Sequence, residues 1–222
     1  ALYNYTEGYG SYLIPAVMVI IIFQTLLMVI GMLTGEEHMT KGILAYTPFG
    51  KSWAVAIRIV SGKTFVYCSL YAVFSFFLLG LLPHFFSIPN IGSGKDIIIM
   101  LIPYLLATSF FGLAASRWFT DSEAPLLMIA FFSVGLIFLS GVSYPMELMP
   151  WYWKMAHYII PAAPGTLAFI KLNSMGGNMA DIRPEYITLW VQTVVYFGLA
   201  VWVYKEKLKT GTHVFISTGS KG

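Results

Sequence analysis

The chain has 222 residues, of which 58% are hydrophobic, 17% aromatic and only 10% charged, with a formal net charge of +3. Soluble domains carry about 25% charged residues, so this composition excludes an ordinary water-soluble fold. The small basic surplus sits beside apolar runs and forms no nucleic-acid patch.

The first charge-free run, Gly8 to Gly35, holds YLIPAVMVIIIFQTLLMVIGMLTG. It exceeds the ~18 apolar residues that mark a membrane span and predicts a span over 12–34. Gln24 lies mid-span, where an amide is costly in lipid, so it is expected to face the pathway or another helix.

Next comes GEEHMTKGILAYTPFGKSWAVAIRIVSGK, expected to form a cytoplasmic loop over 35–63. Within it AYTPFGKS, Ala45 to Ser52, fits the loosest form of a phosphate-binding loop. A working loop needs a buried strand before it, a helix amino terminus facing the phosphates and a metal-binding Asp after a second apolar strand. A polar run precedes this one, no apolar strand ends in Asp, and bulky Tyr46 and Phe49 occupy a loop that must approach phosphate closely. The match is read as false, and the chain as no ATPase. Pro48 is expected to end or redirect a short helix carrying Ile43, Leu44 and Tyr46. Trp53, Ile57 and Val60 follow at i, i+4 and i+7, which predicts an amphipathic helix on or entering the membrane, with Arg58 and Lys63 at headgroup level.

A second span is predicted over 64–82, where the single cysteine, Cys68, is read as a small packing residue. Two further runs predict spans over 97–116 and 124–142. The turn between them, SRWFTDSE, offers Thr120 or Ser122 as a helix cap, with Glu123 and Pro125 in the first turn. SYPMELMPWYWK then combines two prolines with three consecutive aromatics, the composition of an interfacial belt. Met155 to Ile170 is uncharged but interrupted by Pro161, Pro164 and Gly165, so it is expected to re-enter or lie at the interface, within an element over 146–171. The last span is predicted over 186–204, with Gln192 mid-span in the same position as Gln24, and the basic tail KEKLK follows it.

The fold class expected is therefore all-α, a polytopic helical membrane protein of five spans plus a short re-entrant element, in one domain. An odd span count puts the chain ends on opposite sides. Lys41, Lys51, Arg58, Lys63, Arg117 and the tail lysines share one set of loops, against Lys95, Lys154, Lys171 and Arg183 in the other. The positive-inside rule makes the first set cytoplasmic, with the amino terminus outside, the carboxy terminus inside, and a cell membrane, such as the bacterial inner membrane, as the location. Ala1 is not a natural start, so a preceding portion is expected.

His84 and His157 lack ligands at metal spacing, so no metal is expected. Ser140-Gly141 lacks the preceding glycine and the opposing buried His that intramembrane serine proteolysis needs. No Asp, Glu, Lys or Arg lies at a span centre, which argues against an ion-coupled transporter or a channel filter. A pathway for a bulky or amphiphilic substrate, energised from outside the membrane, fits better.

Four pieces in this order resemble the permease subunits of the ABC-2 family of ABC transporters. They are YNYTEGYGSYLIPAVMVIIIFQTLLMVIG, GEEHMTKGILAYTPFGKSWAVAIRIVSGK, SGVSYPMELMPWYWKMAHYIIPAAPGT and the closing span with its basic tail. The resemblance implies six spans, of which these would be the second to sixth, after a first helix and an external domain. It implies that ATP and Mg are bound by a separate ATP-binding subunit and that this chain holds no cofactor.

Glu36, Glu37, His38 and Lys41, with Thr47, Pro48 and Lys51, would form the coupling surface docked into that subunit. The two glutamates would pair with its basic residues or brace the loop through Lys41 or Arg117. Here the family's tighter Glu, Arg or Lys, Glu, Gly-Thr series is replaced by Glu36-Glu37-His38 followed by Met39-Thr40-Lys41-Gly42. Pro145, Glu147 and Pro150, with Pro161 and Pro164, would belong to an external gate, a short re-entrant helix pair from Met146 to about Lys171 that closes the outer end of the pathway. The permease would work as a homodimer or heterodimer in the lipid bilayer, a periplasmic adaptor being a further partner. Drug, lipid or polymer would leave at the interface between its first and last helices. The alternatives from other classes are a membrane scaffold that recruits partners without transport, and a stand-alone transporter needing no ATPase.

Overall fold

A computed structural model describes residues 9–40, 52–85, 92–119, 123–141 and 149–219. Their regular elements are helices: α1 (Tyr9–Met39), α2 (Trp53–Ser75), α3 (Leu82–Phe85), α4 (Gly94–Ala115), α5 (Ala124–Leu139), α6 (Trp151–Ile159), α7 (Ala162–Asn173) and α8 (Arg183–Gly219). A π-helical turn, Phe76–Leu81, joins α2 to α3 without a break, so both read as one rod from Trp53 to Phe85.

Four helical segments are long and apolar enough to cross a membrane: Leu13–Met39, Trp53–Phe85, Gly94–Ala115 and Arg183–Lys209. Their levels agree with one another. Asp96 and Ser116 on α4, and Glu185 and Lys205 on α8, are each separated by 20 residues, about 30 Å of helix, which is the hydrocarbon thickness of a bilayer. The helix of the fourth predicted span, α5, has only 16 residues, about 24 Å. It closes at Ser140, beyond which Gly141 takes a positive φ of 81°, a conformation glycine adopts without strain.

Helix α4 is the centre of the bundle. It packs most extensively on α8 and also meets α1, α2 and α7. Tyr104 of α4 is fully buried, and its hydroxyl donates to the Val19 carbonyl of α1 at 2.8 Å. Against that ring lies Gly165 of α7, where a Cβ would come within 2.3 Å of two ring carbons. A second close approach joins α1 to α5, since a Cβ on Gly31 would meet the Pro125 side chain at 2.6 Å.

Three expectations gain detail. The predicted loop over 35–63 is helical at both of its ends: α1 runs on to Met39, and α2 begins at Trp53 behind Ser52, whose side chain caps the Ala54 amide. The helix predicted from Trp53, Ile57 and Val60 forms as the start of α2, and its apolar face divides. Trp53 and Ile57 are exposed, while Ala56, Val60, Thr64, Tyr67 and Tyr71 face the bundle. Finally, the Pro- and Gly-containing element is a helix pair, divided at Ile160 and Pro161, and its two helices are of opposite character. Helix α6 exposes Trp151, Tyr152, Met155 and Tyr158, whereas α7 is buried almost throughout. Pro161 caps α7 and Pro164 lies in its first turn, where no intrahelical N–H is needed.

Candidate functional site

The long helices continue past the apolar level at one end of the bundle, and their first charged side chains meet there. Glu37, near the end of α1, forms an ion pair with Lys63 of α2 at 2.6 Å; their side chains are 15% and 19% exposed. The Lys63 ammonium also donates to the hydroxyl of Tyr204 on α8 at 3.3 Å. Tyr204 is fully buried. Its ring has a second ammonium near it, since Lys63 and Lys207 each lie 5.2 Å from the ring centroid. Lys207 donates to the carbonyl and the hydroxyl of Ser116, at the end of α4, at 3.1 and 3.0 Å.

Glu37, Lys63, Tyr204, Lys207 and Ser116 thus tie α1, α2, α8 and α4 together at one level. Around this knot, Lys205 lies 3.5 Å from the centroid of Trp53, and the Arg117 guanidinium lies 5.3 Å from that of Trp202. Both are cation–π geometries. Among the described residues Glu37 pairs with Lys63, a partner not among the braces expected, Lys41 and Arg117. Glu36 and His38 point out of the bundle and are exposed. Lys41, Thr47, Pro48 and Lys51 lie outside the described residues.

At the opposite end the fastenings differ. Lys171, in the last turn of α7, pairs with Glu185, in the first turn of α8, at 2.6 Å. Glu185 is 7% exposed, and its second oxygen has no partner among the described residues. Helix α6 is held by three bonds to backbone carbonyls. His157 Nδ1 donates to Leu139 at the end of α5 at 2.9 Å, Gln192 of α8 donates to Tyr158 at 2.8 Å, and Tyr196 of α8 donates to Ile159. Burial pushes the His157 imidazole below the usual histidine range, opposed by the Leu139 carbonyl and the charge of Glu185, so the ring is neutral at pH 7.

Of the expected gate residues, Pro150 caps α6 and is exposed, Pro161 and Pro164 are buried at the start of α7, and Pro145 and Glu147 lie outside the described residues. Gln192 is 4% exposed and fastens α8 to α6, while Gln24 is half-buried. No group of three His, Cys, Asp or Glu side chains is placed to hold a metal among the described residues.

Lys63 stood out only as a headgroup-level cation, and Tyr204, Lys207 and Ser116 not as partners of it. A usable signal was there: Lys63 closes the charged flank before one apolar run, and Lys205 to Lys209 open the flank after another. Residues at such boundaries share one depth in the bilayer.

No protein of curated function and no solved structure matches the chain. A model of the family described as ABC-2 family transporter protein matches residues 1–202, nearly the whole length. The chain therefore belongs to the ABC-2 transporter family, as a multi-pass membrane component with a permease-type transport role that is not itself catalytic.

Proposed function

We propose that the chain is the permease half of an ATP-driven exporter, coupled to a separate ATP-binding subunit through the Glu37 end. The carrying observation is the continuity of α1: one unbroken helix runs from the apolar level to Glu36, Glu37 and His38. A force applied to exposed Glu36 is thus applied to a rigid rod of 31 residues, and the ion pair at Glu37 passes it to α2 and α8. The gathering of Arg58, Lys63, Arg117, Lys205, Lys207 and Lys209 at this end supports a cytoplasmic position by the positive-inside rule. The apolar cores of the spans suit a hydrophobic or amphiphilic cargo, with the α6–α7 element at the outer mouth and a second permease copy completing the route.

The test is reconstitution of the protein with candidate ATP-binding subunits, measuring association and stimulated ATPase activity. Glu36→Lys, at an exposed position, is expected to abolish stimulation while leaving the permease folded. The charge swap Glu37→Lys with Lys63→Glu, which keeps the internal pair, is expected to retain it. A permease that associates with none of these subunits, or ATPase stimulation indifferent to Glu36→Lys, would favour a scaffold or a stand-alone transporter.

A further inference from the structure

The knot around Tyr204 is unbalanced in charge. Two ammonium groups, Lys63 and Lys207, flank one buried ring, and the carboxylate bonded there is Glu37, which contacts Lys63. The direct partners of Lys207 in the knot are the neutral carbonyl and hydroxyl of Ser116. Lys63 belongs to α2 and Lys207 to α8, while Glu37 belongs to α1. Like charges gathered in a partly desolvated site repel, and a nearby carboxylate offsets that repulsion.

From this geometry we infer that Glu37 is a positioning residue acting as a removable counter-ion: while it is seated, α2 and α8 stay together, and when α1 draws it away, Lys63 and Lys207 push them apart. Withdrawal of a single carboxylate thereby converts a displacement of α1 into separation of two other helices. Nearby cations sharpen the effect, because Lys205 on Trp53 and Arg117 on Trp202 add positive charge around α8. The exposed carboxylate on this turn of α8, Glu206, is held by Lys209 at 2.8 Å. Neutral Ser116 lets Lys207 turn toward solvent once the helices part, since both bonds it makes there are replaceable by water.

The consequence for transport rests on the permease reading above; the electrostatic arrangement does not, and it is tested without any ATPase. Spin labels are placed at Ser61→Cys on α2 and Lys209→Cys on α8, both exposed, in a Cys68→Ala, Glu206→Gln background of the purified protein, so that loss of Lys209 releases no carboxylate, and the distance between them is measured in lipid nanodiscs. Glu37→Gln is expected to shift the main distance to longer values and broaden it. Adding Lys63→Gln to Glu37→Gln removes the surplus charge and is expected to restore the original distribution, a rescue that a purely packing role for Glu37 cannot produce. High salt is expected to shrink the Glu37→Gln shift. An unchanged distance in Glu37→Gln, or a shift that the second substitution fails to reverse, overturns the inference. Monodisperse elution of every variant checks that each is folded. Failure here leaves the ATPase-stimulation test untouched, and the reverse also holds.

Discussion

The two ends of this bundle are fastened by different physics. At the Glu185 end, consecutive elements are stapled together: α7 to α8 by Lys171 and Glu185, and α6 to its neighbours by donors that reach backbone carbonyls. At the Glu37 end, four helices meet chiefly through charged and hydroxyl side chains, with two ammonium groups around one tyrosine and one bond to the Ser116 carbonyl. Hydrogen bonds to backbone and close packing hold one geometry, because moving them leaves buried polar groups unpaired. Charges gathered at a water boundary can be rearranged at lower cost, since water and salt compensate. A transporter that stays closed at one end while the other responds to a partner needs both kinds of joint.

The largest expected effect lies in the packed region. Gly165→Ala puts a methyl group within 2.3 Å of the Tyr104 ring, and that ring is fixed by its bond to Val19. Overpacking of this kind costs about 3 kcal/mol. Thermal unfolding in detergent should show a marked drop in midpoint, and a midpoint equal to that of the parent would mean that α7 is not locked against α4. Next in size is Lys171→Met, which leaves the carboxylate of Glu185 buried and unpaired at a cost of about 2–3 kcal/mol, the full buried-pair value being discounted for the partial exposure of Lys171. It should lower the midpoint yet leave the Ser61 to Lys209 label distance unchanged. A shifted distance in this variant would erase the distinction between the two ends.

Glu37→Gln reverses that pattern. Both partners are partly solvated, so its cost in stability is about 1–2 kcal/mol, but it is the variant expected to move α2 relative to α8. The smallest effect is a pH dependence at His157. Burial holds its folded pKa below the unfolded value of about 6.5. The unfolded chain therefore takes up the proton first, and stability present above that value is lost as pH falls through it. Midpoints measured from pH 7.5 to 5 should decline, less so in His157→Asn. Identical declines in the two proteins would remove His157 as the cause.

How much of this was legible in the sequence follows from what each feature depends on. Three of the five expected spans stand as long helices because uncharged runs of about 20 residues have few other solutions. The first stands as well, but its helix runs on through Glu36 to Met39, where no breaker intervenes. The depth of α7 was not legible: prolines and a glycine at 161–165 read as an interruption that re-enters or lies at the interface, and only the packing makes them a helix start and a notch for Tyr104. The shortness of α5 was hidden because apolar residues continue past Gly141, where the helix has already stopped. The pairing of Glu37 with Lys63, 26 residues on, and the approach of Lys207 to Ser116 depend on helix packing, to which local sequence pattern is blind. The acidic pair itself was found from its place after an apolar run, and the packing adds that its two members face opposite ways, Glu36 outward and Glu37 into the knot.

The most direct test joins both halves of the account: the Ser61 to Lys209 label distance, measured in nanodiscs with the ATP-binding subunit bound, with and without ATP held unhydrolysed. A permease driven through α1 should show the distance lengthening on ATP binding, with Glu37→Gln already near the long value and unresponsive. A distance that ignores ATP while the bound subunit remains an active ATPase would contradict the claim that the Glu37 end receives the signal.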